Sequence, residues 1–71
     1  MGKFCERIRG LRKEMGLTQN EMAEILQIKP RTYQDYEYDK TFPTFAGLIF
    51  MADFFQVSTD YLLGRSDKRE L

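Results

Sequence analysis

An all-α domain of five helices is what the sequence predicts, and three observations carry that expectation. Apolar residues recur at helical spacing, as in Phe4, Ile8, Leu11 and Met15. Residues that start or stop helices punctuate the chain at short intervals: Gly16, Thr18, Pro30, Thr44, Ser58 and Gly64. Residues 18 to 38, TQNEMAEILQIKPRTYQDYEY, read as two short helices joined by a tight corner, with the remaining helices arranged to hold that pair.

Helix one is predicted over about residues 3 to 15, its stripe of Phe4, Ile8, Leu11 and Met15 facing inward and Gly16 closing it in a left-handed conformation. Lys3, Arg7, Arg9, Arg12 and Lys13 occupy its other faces, and Cys5 is a small apolar filler. Helix two starts at about residue 19, because Thr18 and Glu21 have the spacing of a capping box. Met22, Ala23 and Leu26 form its inner face, with Ala23 small enough to let a second helix cross closely. Pro30 fits only the first turn of a new helix, where its missing N–H has no partner to lose, so helix three begins there. At about 100° per residue, Tyr33, Tyr36 and Glu37 share the packed side, while Arg31, Gln34, Asp35 and Tyr38 face outward.

Thr44 is the expected cap of helix four, whose inner stripe is read as Phe45, Leu48, Ala52 and Phe55 with Met51 beside it. Ile49, Phe50 and Phe54 are left over, more apolar bulk than so small a core covers. With Tyr61 they are read as an exposed contact surface, although some of them can equally be core. Ser58 and Asp60 open a short helix five that Gly64 ends. The domain is drawn over residues 1–64, and the charged tail 65–71 is expected to fray or act as a linker.

Seventy-one residues suffice for one core and no more. The lone Cys5 has no internal disulfide partner, which suits a reducing cytoplasm. No apolar run approaches the roughly 20 residues that span a bilayer, and no signal-peptide order opens the chain, so a cytoplasmic protein with no membrane partner is expected. The chain has no histidine, no glycine-rich phosphate loop and no ligand set at metal-binding spacing, which leaves no catalytic constellation, no cofactor and no small-molecule ligand in view. Eleven basic residues balance eleven acidic ones, and the first 40 residues hold 8 against 7. Any nucleic-acid surface is therefore a local patch rather than a property of the whole chain.

The stretch from Phe4 to Gly64 resembles the phage repressor and Cro family, the XRE-type helix-turn-helix regulators. RIRGLRKEMGLTQNEMAEIL matches its helices one and two, YQDYEYDKTFP the end of helix three and its loop, and LIFMADFFQVSTDYLLG helices four and five. The resemblance implies a compact five-helix, lambda-repressor-like DNA-binding domain with helices two and three as the helix-turn-helix. It implies that Arg12 pairs with Glu37, that Gln27 and Asp39 stand where relatives place turn glycines, and that Pro30 replaces a side chain that often reaches bases. A non-glycine residue in a positive-φ corner costs about 1 kcal/mol.

It further implies that helix three enters the major groove of double-stranded DNA. Arg31 is the first choice for base readout because its fork matches the O6 and N7 acceptors of guanine. Gln34 suits adenine, Thr32 a thymine methyl or a phosphate, and Asp35 a cytosine amino group or the orienting of Arg31; an exposed ion pair between Arg31 and Asp35 is the plain alternative. Gln19, Lys29, Lys40 and Arg9 are the phosphate candidates. The expected protein is a transcriptional regulator, a repressor in type, that binds a pseudo-palindromic operator as a homodimer through Phe50, Phe54 and Tyr61. The rival is a protein-interaction module on the same fold without DNA binding.

Overall fold

Five helices run through the computed structural model, which describes residues 2–70: α1 Gly2–Glu14, α2 Gln19–Leu26, α3 Pro30–Glu37, α4 Phe45–Phe55 and α5 Thr59–Leu63. There is no strand among the described residues. α2 packs on α3, α1 on both α3 and α5, and α4 on α5 and α2. Phe4, Ile8, Met22, Ala23, Tyr33, Met51, Ala52, Val57 and Leu62 fill the centre, all nearly or fully inaccessible. Cys5 is buried beside them.

The starts follow the side chains that the sequence offers. Thr18 Oγ1 accepts from the Glu21 N–H at 3.1 Å while Glu21 Oε1 accepts from the Thr18 N–H at 2.8 Å, the reciprocal capping box. Thr44 accepts from the Gly47 N–H and Ser58 from the Tyr61 N–H. Lys29 precedes α3 in an extended conformation without a side-chain cap, and Pro30 supplies the preset φ of the first turn instead.

All five helices stop in one way. A left-handed residue follows the last turn, at Gly16, Gln27, Asp39, Gln56 and Gly64. The next N–H then returns to a carbonyl five residues back: Leu17 to Arg12, Ile28 to Ala23, Lys40 to Asp35, Val57 to Ala52 and Arg65 to Asp60, at 2.9 to 3.2 Å. Three of these corners lack glycine, so backbone strain is stored at Gln27, Asp39 and Gln56. Gly64 is constrained twice over, since a Cβ there would lie 2.4 Å from the Lys3 Cβ as well as occupying φ +78°.

Three expectations are corrected. Met15 is not core: α1 ends at Glu14, so Met15 sits in the turn and stands 50% exposed. Phe45 is not part of the inner stripe of α4; at the first helical position it points away from the core and is 82% exposed, while Met51, Ala52 and Phe55 are buried. The tail, expected to fray or act as a linker over residues 65–71, is instead tied to the domain as far as Arg69, and residue 71 lies outside the described residues. The Ser58 N–H donates to the Arg69 carbonyl at 2.8 Å, Arg69 forks onto both carboxylate oxygens of Glu14 at 2.9 and 2.7 Å, and Arg7 donates to the Ser66 carbonyl and to Asp67.

Candidate nucleic-acid interface

α3 has two unlike sides, and the inner one is built on a single carboxylate. Glu37 is 1% exposed, and its oxygens accept from Arg12 Nε at 2.6 Å, Arg12 Nη2 at 3.1 Å, Gln19 Nε2 at 3.0 Å and the Tyr33 hydroxyl. Burial alone would push this carboxyl up; the hydrogen bonds from Arg12, Tyr33 and Gln19, together with the Arg12 charge, outweigh it and hold it below the usual value. The same bond raises the Arg12 guanidinium, and burial followed by the Glu37 contact raises the Tyr33 phenol. Arg12 also donates to the Leu17 carbonyl at 2.8 Å, and Arg9 to the Glu37 carbonyl at 2.7 Å, closing the end of α3. One residue thus ties α1, α2 and α3 together, and among the described residues no buried side-chain polar atom lacks a hydrogen-bond partner.

The outer side is bare by comparison. The Arg31 side chain is 76% exposed, with its Nε 3.3 Å from Asp35 Oδ1, so the i, i+4 pair forms without covering the guanidinium. Thr32 and Gln34 are half-buried, leaving their outer edges accessible beside Arg31. Lys29 and Lys40 flank the two ends of α3, exposed and without an ion-pair partner among the described residues. Tyr38, one turn beyond Gln34, is 56% exposed.

The phosphate candidates divide. Lys29 and Lys40 stand free to reach a backbone. Gln19 and Arg9 are engaged instead: the Gln19 amide nitrogen and the Arg9 guanidinium both serve Glu37. What Gln19 still offers is its place at the start of α2, where amides without an intrahelical partner and the helix dipole favour an anion. Sequence reading missed the Gln19 and Tyr33 bonds to Glu37, although Tyr33 and Glu37 lie four residues apart on the packed side of one helix, which is a legible signal.

The proposed contact side chains divide as well. Phe50 is 48% exposed, but Phe54 is partly buried with its ring edge-on to Phe55 at 5.3 Å. Tyr61 is partly buried too, with the Arg7 guanidinium 3.9 Å above its ring and Arg69 on it at 5.4 Å. Among the described residues no group of three or more potential ligands could hold a metal ion, and no helix is long and apolar enough to cross a membrane.

Comparison with known proteins bears on this geometry. A family model described as a helix-turn-helix domain matches residues 5–68. The chain is 38% identical over 64 residues to YobD of Bacillus subtilis (strain 168), named as an uncharacterized HTH-type transcriptional regulator, covering 90% of this chain and 57% of that protein. It is 37% identical over 62 residues to the HTH-type transcriptional regulator ImmR of the same organism, with 87% and 49% covered. It is 36% identical over 63 residues to the cryptic phage CTXphi transcriptional repressor RstR of Vibrio cholerae serotype O1, with 89% and 56% covered. The chain spans about half the length of these curated relatives.

Proposed function

The chain belongs to the helix-turn-helix family of the phage-repressor, or XRE, type, and from that premise we propose that it is a sequence-specific DNA-binding transcriptional regulator, acting as a repressor. Two copies bind a pseudo-palindromic operator, each laying α3 in the major groove, with the recognition helices about 34 Å apart. Its place of action is the cytoplasm, where such DNA is.

The observation that carries this reading is the exposed Arg31 fork on a helix whose opposite side is held by the Glu37 network. Arg31 reads guanine O6 and N7, Gln34 an adenine, and Thr32 a thymine methyl or phosphate. Asp35 steadies Arg31 from one turn away. Lys29, Lys40 and the first turn of α2 with Gln19 grip phosphates and set the register, and Arg9 contributes its charge from α1, beside the end of α3. The names of YobD, ImmR and RstR support the reading, because each describes a transcriptional regulator or repressor.

Selection from a random duplex pool at two salt concentrations tests it. Enrichment of a two-fold motif, bound far more weakly at the higher salt, is the expected result. A pool that shows no enrichment at either salt refutes it. Lys40→Ala should then weaken all sequences alike and lower the salt slope by about one.

A further inference from the structure

The start of α4 has the properties of a surface made to meet itself. Residues 41–52, TFPTFAGLIFMA, contain no charged residue in a chain that is 31% charged. Four of the large hydrophobic side chains that stand exposed lie within it: Phe42 at 51%, Phe45 at 82%, Ile49 at 41% and Phe50 at 48%. Phe45 borders an open groove of about 330 Å³ whose other walls include Phe4, Phe42, Pro43, Leu48 and Leu63. That volume is at the small end of ligand pockets and suits one aromatic ring better than an organic cofactor.

We propose that this face, and not the Phe54 and Tyr61 surface, is where two copies of the chain meet about a two-fold axis, each seating its Phe45 in the groove of the other. A two-fold contact lays a patch on its own image, so a charge near the axis faces a like charge and a charge away from it needs an opposite one elsewhere in the same patch. An uncharged patch carrying both a projecting ring and a groove meets that condition in a way that a patch aimed at a different partner has no need to. The area also fits. A phenylalanine carries roughly 200 Å², so the open parts of Phe42, Phe45 and Phe50 amount to roughly 350 Å² per copy. That is the apolar centre of a standard interface of about 800 Å² per side, with the groove walls and Thr41, Thr44 and Ala46 as its margin.

Geometry links the face to the proposed function, on which this part of the inference rests. The body measures 28 × 23 × 20 Å between Cα atoms, and side chains add a shell of about 3 Å on each side. Two copies in direct contact therefore have centres about 26 to 34 Å apart, a range that reaches the roughly 34 Å between operator half-sites. The chain passes from the end of α3 into this face within seven residues, so contact here sets where each α3 lies.

Sedimentation of the full chain over a concentration series, with Phe45→Glu beside the parent, decides the matter. The parent should dimerise reversibly and Phe45→Glu should raise the dissociation constant at least about tenfold; at concentrations where both are monomeric their melting temperatures should agree, because in one copy the side chain is already in solvent. On DNA, the variant should bind an isolated half-site as the parent does and lose cooperative binding of the full site. A variant that self-associates like the parent overturns the inference. So does a parent that stays monomeric both free and on full-site DNA, which is also how a small ligand or a different protein as the natural occupant would show. If that monomeric parent still selects an operator, the DNA reading survives and this one fails. If the parent dimerises through Phe45 but selects no DNA, the reverse holds.

Discussion

The two sides of α3 are made of similar residue types and do opposite things. On the inner side Tyr33, Tyr36 and Glu37 lie at most 8% exposed, and one carboxylate satisfies donors from three helices. On the outer side a carboxylate of the same helix, Asp35, has one ion-pair partner, and that partner remains mostly in solvent. A charge that is surrounded by donors fixes geometry; a charge that is left over remains available to a ligand. The contrast gives a rigid support behind the surface proposed to read DNA, which is how a constellation is held without being used up.

Substitutions can break the contrast in order of cost. Arg12→Ala leaves the Glu37 carboxylate buried without its main partner, and such a loss costs about 3 to 5 kcal/mol. In urea titration that should remove much or all of the stability of a domain this size. Acid acts on the same residue. Because the folded Glu37 value lies below its unfolded value of roughly 4.3, its contribution is complete above that pH and disappears as pH falls through the folded value. Glu14, held down by Arg69, titrates in the same direction. Urea midpoints followed downward from neutral pH should fall steeply below about 4.3 in the parent, and less steeply in Glu37→Gln, whose stability is already reduced.

Arg31→Ala sharpens the contrast from the other side. It should leave stability within about 0.5 kcal/mol, since the side chain is 76% exposed and its pairing with Asp35 lies in solvent, and cost roughly 1 to 3 kcal/mol of operator binding with lost preference at one position. The smallest effect concerns the corner that joins the two helices. Gln27→Gly should stabilise by up to about 1 kcal/mol, seen as a higher melting temperature, because φ +58° strains a side chain. A decrease there would mean that the Gln27 side chain contributes more than its backbone costs.

The order of elements was legible because caps act locally: Thr18 with Glu21, Pro30, Thr44 and Ser58 each mark a start within a residue. The burial of Tyr33, Tyr36 and Glu37 followed from spacing alone. α4 was not legible in the same way, because Phe45, Leu48, Ile49, Phe50, Met51, Phe54 and Phe55 ring the helix, and periodicity then singles out no face. The Arg69 to Glu14 clasp spans 55 residues and has no local pattern to announce it. Gln19 and Arg9 were placed correctly along the chain, yet their hydrogen bonds depend on where α3 ends in space.

Guanine methylation at N7 puts a methyl group in the major groove where the Arg31 fork is proposed to bind, so interference footprinting of the selected operator reads the central claim directly. With the parent protein, methylation should block binding at one guanine in each half-site, the two related by the operator two-fold and about one helical turn apart. With Arg31→Ala that block should vanish while the phosphate contacts persist. Interference that is the same for both proteins, or that falls only on minor-groove adenine N3, would contradict the placing of this helix in the major groove.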